Sequence, residues 1–221
     1  MPSLLRRRRS CLVDLHGPSA EPFRTLRLAL DIRRERRTGN VVVVTSPNAG
    51  EGKTVVATNY ALVAAQTSQS VLLIDGDLRR AAVHTRFGLE RSPGLVELLA
   101  DSVDIRQYAH AVPEAGGSLD VLPAGQPIPG SGDIVSSRRM GEVIRQASEN
   151  YDLVVIDSPP LLNTVDAAGF AAFPGVDVVI VVDQGSRRRP LVKALRKLEL
   201  LEANVAGIVV NREGALRPYE Y

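Results

Sequence analysis

The sequence predicts an α/β fold: a parallel β-sheet flanked by helices on both faces. Three observations carry that expectation. Short apolar runs of strand length recur along the chain, helical patterns separate them, and acidic residues stand where several runs end. Val41–Thr45, Val71–Asp75, Leu119–Leu122, Leu153–Asp157, Val176–Val182 and Val205–Val210 are apolar or nearly so from end to end, which suits strands buried on both sides. Lys53–Ser68, Gly94–Ala100, Asp133–Glu149 and Arg188–Glu202 read as the intervening helices. Strands alternating with helices call for parallel pairing and right-handed crossovers. Such sheets bind ligands at the carboxyl ends of their strands.

The elements follow in order. Residues 1–18 form a basic leader, expected to be flexible and closed by Gly17-Pro18. A helix is expected from Ala20 to about Arg37, with Ser19 as its N-cap and Gly39 as its terminator. The principal domain then spans 19–212, with 19–37 as its N-terminal helical segment. Ala111–Asp133 is rich in glycine and proline and reads as a surface excursion. Residues 213–221 read as a loose tail that carries Tyr219 and Tyr221.

Composition narrows the function classes. The 221 residues suit one domain with short tails, and 44% apolar content fills one core. Lysine and arginine exceed aspartate and glutamate by two, which does not suggest a nucleic-acid binder despite a pI near 8.9. Cys11 is the sole cysteine, so an intramolecular disulfide is impossible and a reducing, cytoplasmic setting is expected. No run reaches the roughly 18 apolar residues that span a bilayer. The arginine runs Arg6–Arg9 and Arg187–Arg189 suit a solvated face, or contact with anionic lipid or a membrane partner's tail.

Residues 41–54 read VVVVTSPNAGEGKT. A β-branched strand enters a glycine-containing loop, and Gly52-Lys53-Thr54 opens a helix. Backbone N–H groups of such a loop and helix start face phosphate oxygens. Ala49, Gly50, Glu51, Gly52, Lys53, Thr54 and Val55 are therefore the candidate nucleotide-binding residues. Lys53 suits the β- and γ-phosphates, and the Thr54 hydroxyl suits Mg²⁺. The first glycine of the general pattern is Pro47 here. Two further strands end in carboxylates: LLIDGDLRR places Asp75 and Asp77, and LVVIDSPP places Asp157. Phosphoryl-transfer enzymes need such carboxylates near the metal and the attacking hydroxyl. A helix N-cap is the alternative role for each aspartate taken singly.

Gly-Lys-Thr followed by LLIDGDLRR resembles the deviant P-loop ATPases, which include the MinD and ParA ATPases and the bacterial tyrosine kinases. The signature lysine of the positioning ATPases falls at Asn48, five residues before Lys53, which turns the resemblance away from them. From about Glu21 to Arg212 the chain resembles the bacterial tyrosine autokinases of capsular and extracellular polysaccharide synthesis. LLIDGDLRR resembles their A-prime motif and LVVIDSPP their Walker B motif. HTRFGLERSPGLVELLA and LDVLPAGQPIPGSGDIVSS resemble family segments, the latter's proline element having drifted to Pro127-Ile128-Pro129-Gly130. EPFRTLR matches a Glu-x-x-Arg-x-x-Arg motif through Glu21, Arg24 and Arg27.

The resemblance implies an ATP- and Mg²⁺-dependent protein-tyrosine kinase. Lys53, Asp75, Asp77 and Asp157 would be catalytic, and Thr54, Asp75 and Asp157 would hold the metal. Either A-prime aspartate could face the acceptor hydroxyl. Asn211 and Arg212 would lie near the base. Glu21, Arg24 and Arg27 would join subunits of a homo-oligomeric ring, against the alternative of an intrahelical Glu–Arg pair. Tyr219 and Tyr221 would accept phosphate from a neighbour. A transmembrane activator of the polysaccharide co-polymerase type is implied, with the chain held at the inner face of the plasma membrane. The competing readings are a MinD- or ParA-like positioning ATPase and a non-catalytic, nucleotide-dependent scaffold.

Overall fold

The computed structural model describes residues 12–35, 39–67, 69–101, 103–127, 135, 137–164 and 166–212. Within them lies a seven-stranded sheet in the order β3-β4-β2-β5-β1-β6-β7. The strands are β1 (Val41–Thr45), β2 (Val71–Asp75), β3 (His110–Ala111), β4 (Leu119–Leu122), β5 (Leu153–Asp157), β6 (Val176–Asp183) and β7 (Asn204–Asn211). All neighbours pair in parallel except β3, a two-residue edge strand antiparallel to β4. The expected parallel sheet is present, with β3 added as an antiparallel edge. Two residues carry no periodicity, so no sequence pattern marks β3.

The helices are α1 (Glu21–Arg34), α2 (Lys53–Ala65), α3 (Val83–Phe87), α4 (Leu95–Ala100), α5 (Arg138–Asn150), α6 (Asp166–Ala171) and α7 (Arg188–Leu200). Ser19 is not the N-cap expected of it. It lies inside a 3₁₀ turn, Pro18–Ala20, and α1 starts at Glu21 with Pro22 in its first turn. Proline there has no N–H to leave unpaired, so no side-chain cap is needed. Helix α2 stops at Ala65, where the Thr67 amide and hydroxyl both turn back to the Ala64 carbonyl. Helix α5 starts at Arg138, because Ser137 caps it by accepting the Met140 N–H. Helix α7 ends before Glu202, whose φ of 53° leaves the helical region. Helices α3 and α6 were not read from sequence; five and six residues are too few to establish a 3.6-residue period.

Every residue of β1, β2 and β5 is buried. Their side chains alternate between two cores. Val42, Val44, Leu73 and Val155 meet Val56, Tyr60 and Ala64 of α2 and Leu30 of α1. Val43, Leu72, Ile74 and Ile156 meet Leu95 and Leu98 of α4, Met140 and Val143 of α5, and Phe170 of α6. A third group, Val178, Ile180 and Val182 with Leu161, Ala194 and Leu198, secures α6 and α7. At roughly 25 cal/mol per Å² of apolar surface, this two-sided burial is the dominant stabilising contribution. It fixes the strand ends where the candidate residues stand.

Glu21 and Arg24 form a 2.7 Å ion pair within α1, and the Arg24 guanidinium also donates to the Leu15 carbonyl. Arg27 lies 3.9 Å from Asp31. Tyr219 and Tyr221, Arg6–Arg9 and Ile128-Pro129-Gly130 lie outside the described residues.

Candidate active site

The loop after β1 is held from several directions. The Ser46 hydroxyl donates to the Asn48 carbonyl at 2.6 Å. The Glu51 carboxylate accepts the Asn48 N–H at 2.8 Å and the Ser186 hydroxyl at 2.7 Å. The Asn211 amide donates to the Glu51 carbonyl at 3.0 Å, and the Arg212 guanidinium donates to the Gly50 carbonyl at 3.0 Å while pairing with Asp183. Asn211 and Arg212 therefore brace the loop main chain from the end of β7. Gly52 has φ of 91°, and a Cβ there would collide with the Asn211 amide. Only glycine meets both demands.

Lys53 opens α2 and folds back over the strand ends. Its ammonium lies 2.9 Å from Asp77 Oδ2, 3.5 Å from Asp157 Oδ1 and 3.4 Å from the Thr54 hydroxyl. Burial alone would pull the ammonium down, but the charges of Asp157 and Asp77 outweigh it and hold the pKa above its ordinary value. Asp75 and Asp157 are register partners on β2 and β5. Burial, then the Asp157 charge, lifts Asp75 to about 7 against the Val83 N–H bond that opposes it. Burial raises Asp157 as well, with Lys53 pulling the other way.

The two A-prime aspartates have different surroundings. Asp75 Oδ2 accepts the N–H groups of Ala82 and Val83, each at 3.0 Å, and so caps α3. Asp77 Oδ1 accepts the Arg80 N–H at 3.0 Å while Oδ2 meets Lys53. Asp77 lines a cavity of about 280 Å³ together with Ala49, Gly50, Lys53, Arg79 and Arg80. Pro159, Pro160, Asn163 and Thr164 complete the wall. The 159–164 loop is fixed by the Thr45 hydroxyl, which donates to the Pro159 carbonyl at 2.9 Å.

Both Asp157 oxygens and Asp75 Oδ1 are buried without a hydrogen-bond partner of good geometry. Buried acceptors left open in this way suit a cation. Among the described residues no three His, Cys, Asp or Glu side chains cluster as a self-sufficient metal site.

The structure thus brings Lys53, Thr54, Asp75, Asp77 and Asp157 together, with Ala49, Gly50, Glu51, Gly52, Asn211 and Arg212 beside them. Val55 sits one residue further into the first turn of α2. Glu21, Arg24 and Arg27 belong to α1 and do not line the cavity. The sequence reading missed Arg79, Arg80, Pro159, Pro160, Asn163, Thr164, Ser186 and Asp183 as site residues. Arg79 and Arg80 follow directly on Asp77, which was the available signal. Ser186 reaches the loop through Glu51, and Asp183 acts on it only through Arg212, so no spacing reveals either.

Comparison with known proteins agrees with this geometry. A family model described as an AAA domain matches residues 39–191. Tyrosine-protein kinase YwqD of Bacillus subtilis is 31% identical over 99% of this chain and 92% of its own length. EpsB of Ralstonia solanacearum is 35% identical over 92% of this chain, but the match takes in only 26% of EpsB. The chain therefore spans about a quarter of that larger relative. Among solved structures, the kinase domain of the Escherichia coli tyrosine kinase ETK superposes with a TM-score of 0.83 at 29% identity. That match covers 94% of this chain and 83% of that one.

Proposed function

The chain belongs to the bacterial tyrosine-protein kinases, and from that premise we propose that it transfers the γ-phosphoryl group of ATP to tyrosine, acting on Tyr219 and Tyr221 of a neighbouring copy. The observation that supports this most is the meeting of Lys53, Asp77 and Asp157 within 3.5 Å at the mouth of a braced phosphate loop.

The loop N–H groups and Lys53 bind the phosphates. Lys53 exchanges part of its pairing with Asp77 for the transferring phosphoryl group, where negative charge must be stabilised. Asp77 is then free to accept the proton of the tyrosine hydroxyl. The phenolic oxygen forms the new P–O bond, the bond to the β-phosphate oxygen breaks, and ADP leaves. Asp77 suits this role better than Asp75, because Asp77 lines the cavity and Asp75 is committed to the start of α3. Thr54 and Asp157, with Asp75, would hold Mg²⁺, which when bound neutralises phosphate charge. Asn211 and Arg212 keep the loop in register by gripping its carbonyls.

Transfer between copies requires an assembly, and Glu21, Arg24 and Arg27 on α1 are the residues assigned to it. The assembly is read as a ring that regulates export or synthesis of a capsular or extracellular polysaccharide. Among the described residues no helix is long and apolar enough to cross a membrane. Attachment to the inner membrane face would come through a transmembrane activator.

The test mixes the active chain with a mass-tagged Lys53→Met copy and ATP-Mg, beside the activator's cytoplasmic segment. Phosphotyrosine on the tagged copy is expected. Phosphate confined to the active copy would refute transfer between chains.

A further inference from the structure

Charge accounting around the cavity leaves one cation over. Lys53 is matched by Asp77 and Asp157. Arg79 is matched by Asp166, 3.3 Å away and almost fully buried. Arg80 lines the same cavity, is exposed, and has no acidic partner among the described residues. Its backbone is nevertheless fixed: the Arg80 N–H donates to both the carbonyl oxygen and Oδ1 of Asp77, at 3.1 and 3.0 Å. The Arg80 main chain is therefore anchored on the carboxylate assigned to take the tyrosine proton, and its unmatched side chain lines the same cavity.

The cavity is graded from floor to rim. Lys53 and Asp77 are buried at its floor, whereas Arg79 and Arg80 are exposed. Pro159 and Pro160 supply an apolar stretch of its wall, suited to the face of a phenol ring. A phenol that reaches Asp77 leaves the neighbouring residue of its own chain at the rim, since successive residues of an extended peptide point to opposite sides. The tail of this chain reads Arg217-Pro218-Tyr219-Glu220-Tyr221, so one glutamate adjoins both acceptor tyrosines.

We propose that Arg80 is a specificity-determining residue that selects tyrosines with an adjacent carboxylate, Glu220 in the chain's own tail. This rests on the tyrosine-kinase reading above and names its substrate class: acidic-flanked tyrosine peptides. The guanidinium presents several N–H donors in a planar fork, which fits a carboxylate in two-point contact. The nucleotide is assigned to the phosphate loop and Lys53, not to Arg80.

The experiment uses the full chain with ATP-Mg and three peptides covering residues 212–221. Each carries Tyr221→Phe, with Glu220 kept or replaced as Glu220→Gln or Glu220→Lys. kcat and KM are measured for the wild type, Arg80→Lys and Arg80→Glu. The wild type favours the Glu220 peptide over the Glu220→Lys peptide by about three- to ten-fold in kcat/KM, carried by KM, as suits a rim ion pair. Arg80→Lys keeps the direction of that preference, Arg80→Glu inverts it, and KM for ATP stays unchanged in both. Equal loss on all three peptides, or a rise in KM for ATP, would overturn the proposal by placing Arg80 in the chemistry or on the nucleotide. Phosphorylation without any preference among the peptides would also overturn it while leaving the kinase reading intact. Absence of phosphotyrosine on every peptide and on the chain itself, with ATP hydrolysis retained, would remove the kinase reading and the proposal together.

Discussion

Asp75 and Asp157 stand opposite one another on adjacent parallel strands, each buried at the carboxyl end of the sheet. Burial, and then the charge of Asp157, push the Asp75 carboxyl up to about 7. A folded-state pKa raised above the unfolded value contributes stability that is complete below the unfolded pKa, near 3.8 here, and is lost as pH rises through the folded one. The unliganded chain should therefore lose stability between about pH 4 and 7 through this group and level off above. Asp75→Asn, a neutral mimic that still accepts the Ala82 and Val83 N–H groups, should flatten that slope and melt higher than wild type at pH 7.5. Thermal melting across pH 5 to 8 checks this, and an unchanged slope would contradict it.

Gly52 carries the left-handed turn that aims the loop at its ligand. Gly52→Ala forces a side chain into an unfavourable φ and against Asn211. Such strain costs roughly 1–3 kcal/mol, so ATP should bind about ten-fold more weakly or worse. Calorimetric titration with ATP-Mg measures it, and affinity within two-fold of wild type would contradict the account.

Glu51 joins the phosphate loop to the turn after β6 by receiving bonds from Asn48 and Ser186. Glu51→Ala removes both, at about 1 kcal/mol each. The expected signature is local: faster amide exchange across residues 48–52, a raised KM for ATP and a melting temperature lowered by only a few degrees. Ser186→Ala should reproduce a milder form. Unchanged exchange in the loop would show that Glu51 does not brace it.

Phosphate on the tail adds about −1.5 to −2 charge per tyrosine. Two such groups beside a nucleotide already bound should weaken docking into a neighbour's cavity, so phosphorylated chains should leave the assembly. Light scattering of phosphorylated and Tyr219→Phe/Tyr221→Phe chains tests this. An assembly mass that ignores tail phosphorylation would exclude it.

Much of this was legible in the sequence because it depends on local chemistry. The apolar runs of β1, β2 and β5 had to be strands buried on both faces, and Gly52-Lys53-Thr54 had to open a helix. Asp75, Asp77 and Asp157 were identifiable as strand-end carboxylates. The division of labour between Asp75 and Asp77 was not, since it follows from where α3 begins, and α3 is too short to announce itself. The ends of α2, α5 and α7 were misplaced for the same reason: a Thr67 hydroxyl, a Ser137 cap and the positive φ of Glu202 decide them. Arg79 and Arg80 were in view as sequence, yet only the wall formed by the 159–164 loop makes them cavity residues. Ser186 meets Glu51 of the phosphate loop across 135 residues of chain, and Asp183 reaches the loop only by holding Arg212, relationships that no local pattern encodes.

In the proposed function, Lys53 and the carboxylates around it direct phosphate onto the tyrosines of the chain's own tail. The most direct test isolates the protein from its own host, where any activator is present, and maps phosphotyrosine on the C-terminal peptide by mass spectrometry beside a Lys53→Met version. Phosphate on Tyr219 or Tyr221 that disappears in Lys53→Met is the predicted result. A well-observed tail peptide without phosphate in the unaltered protein would contradict it.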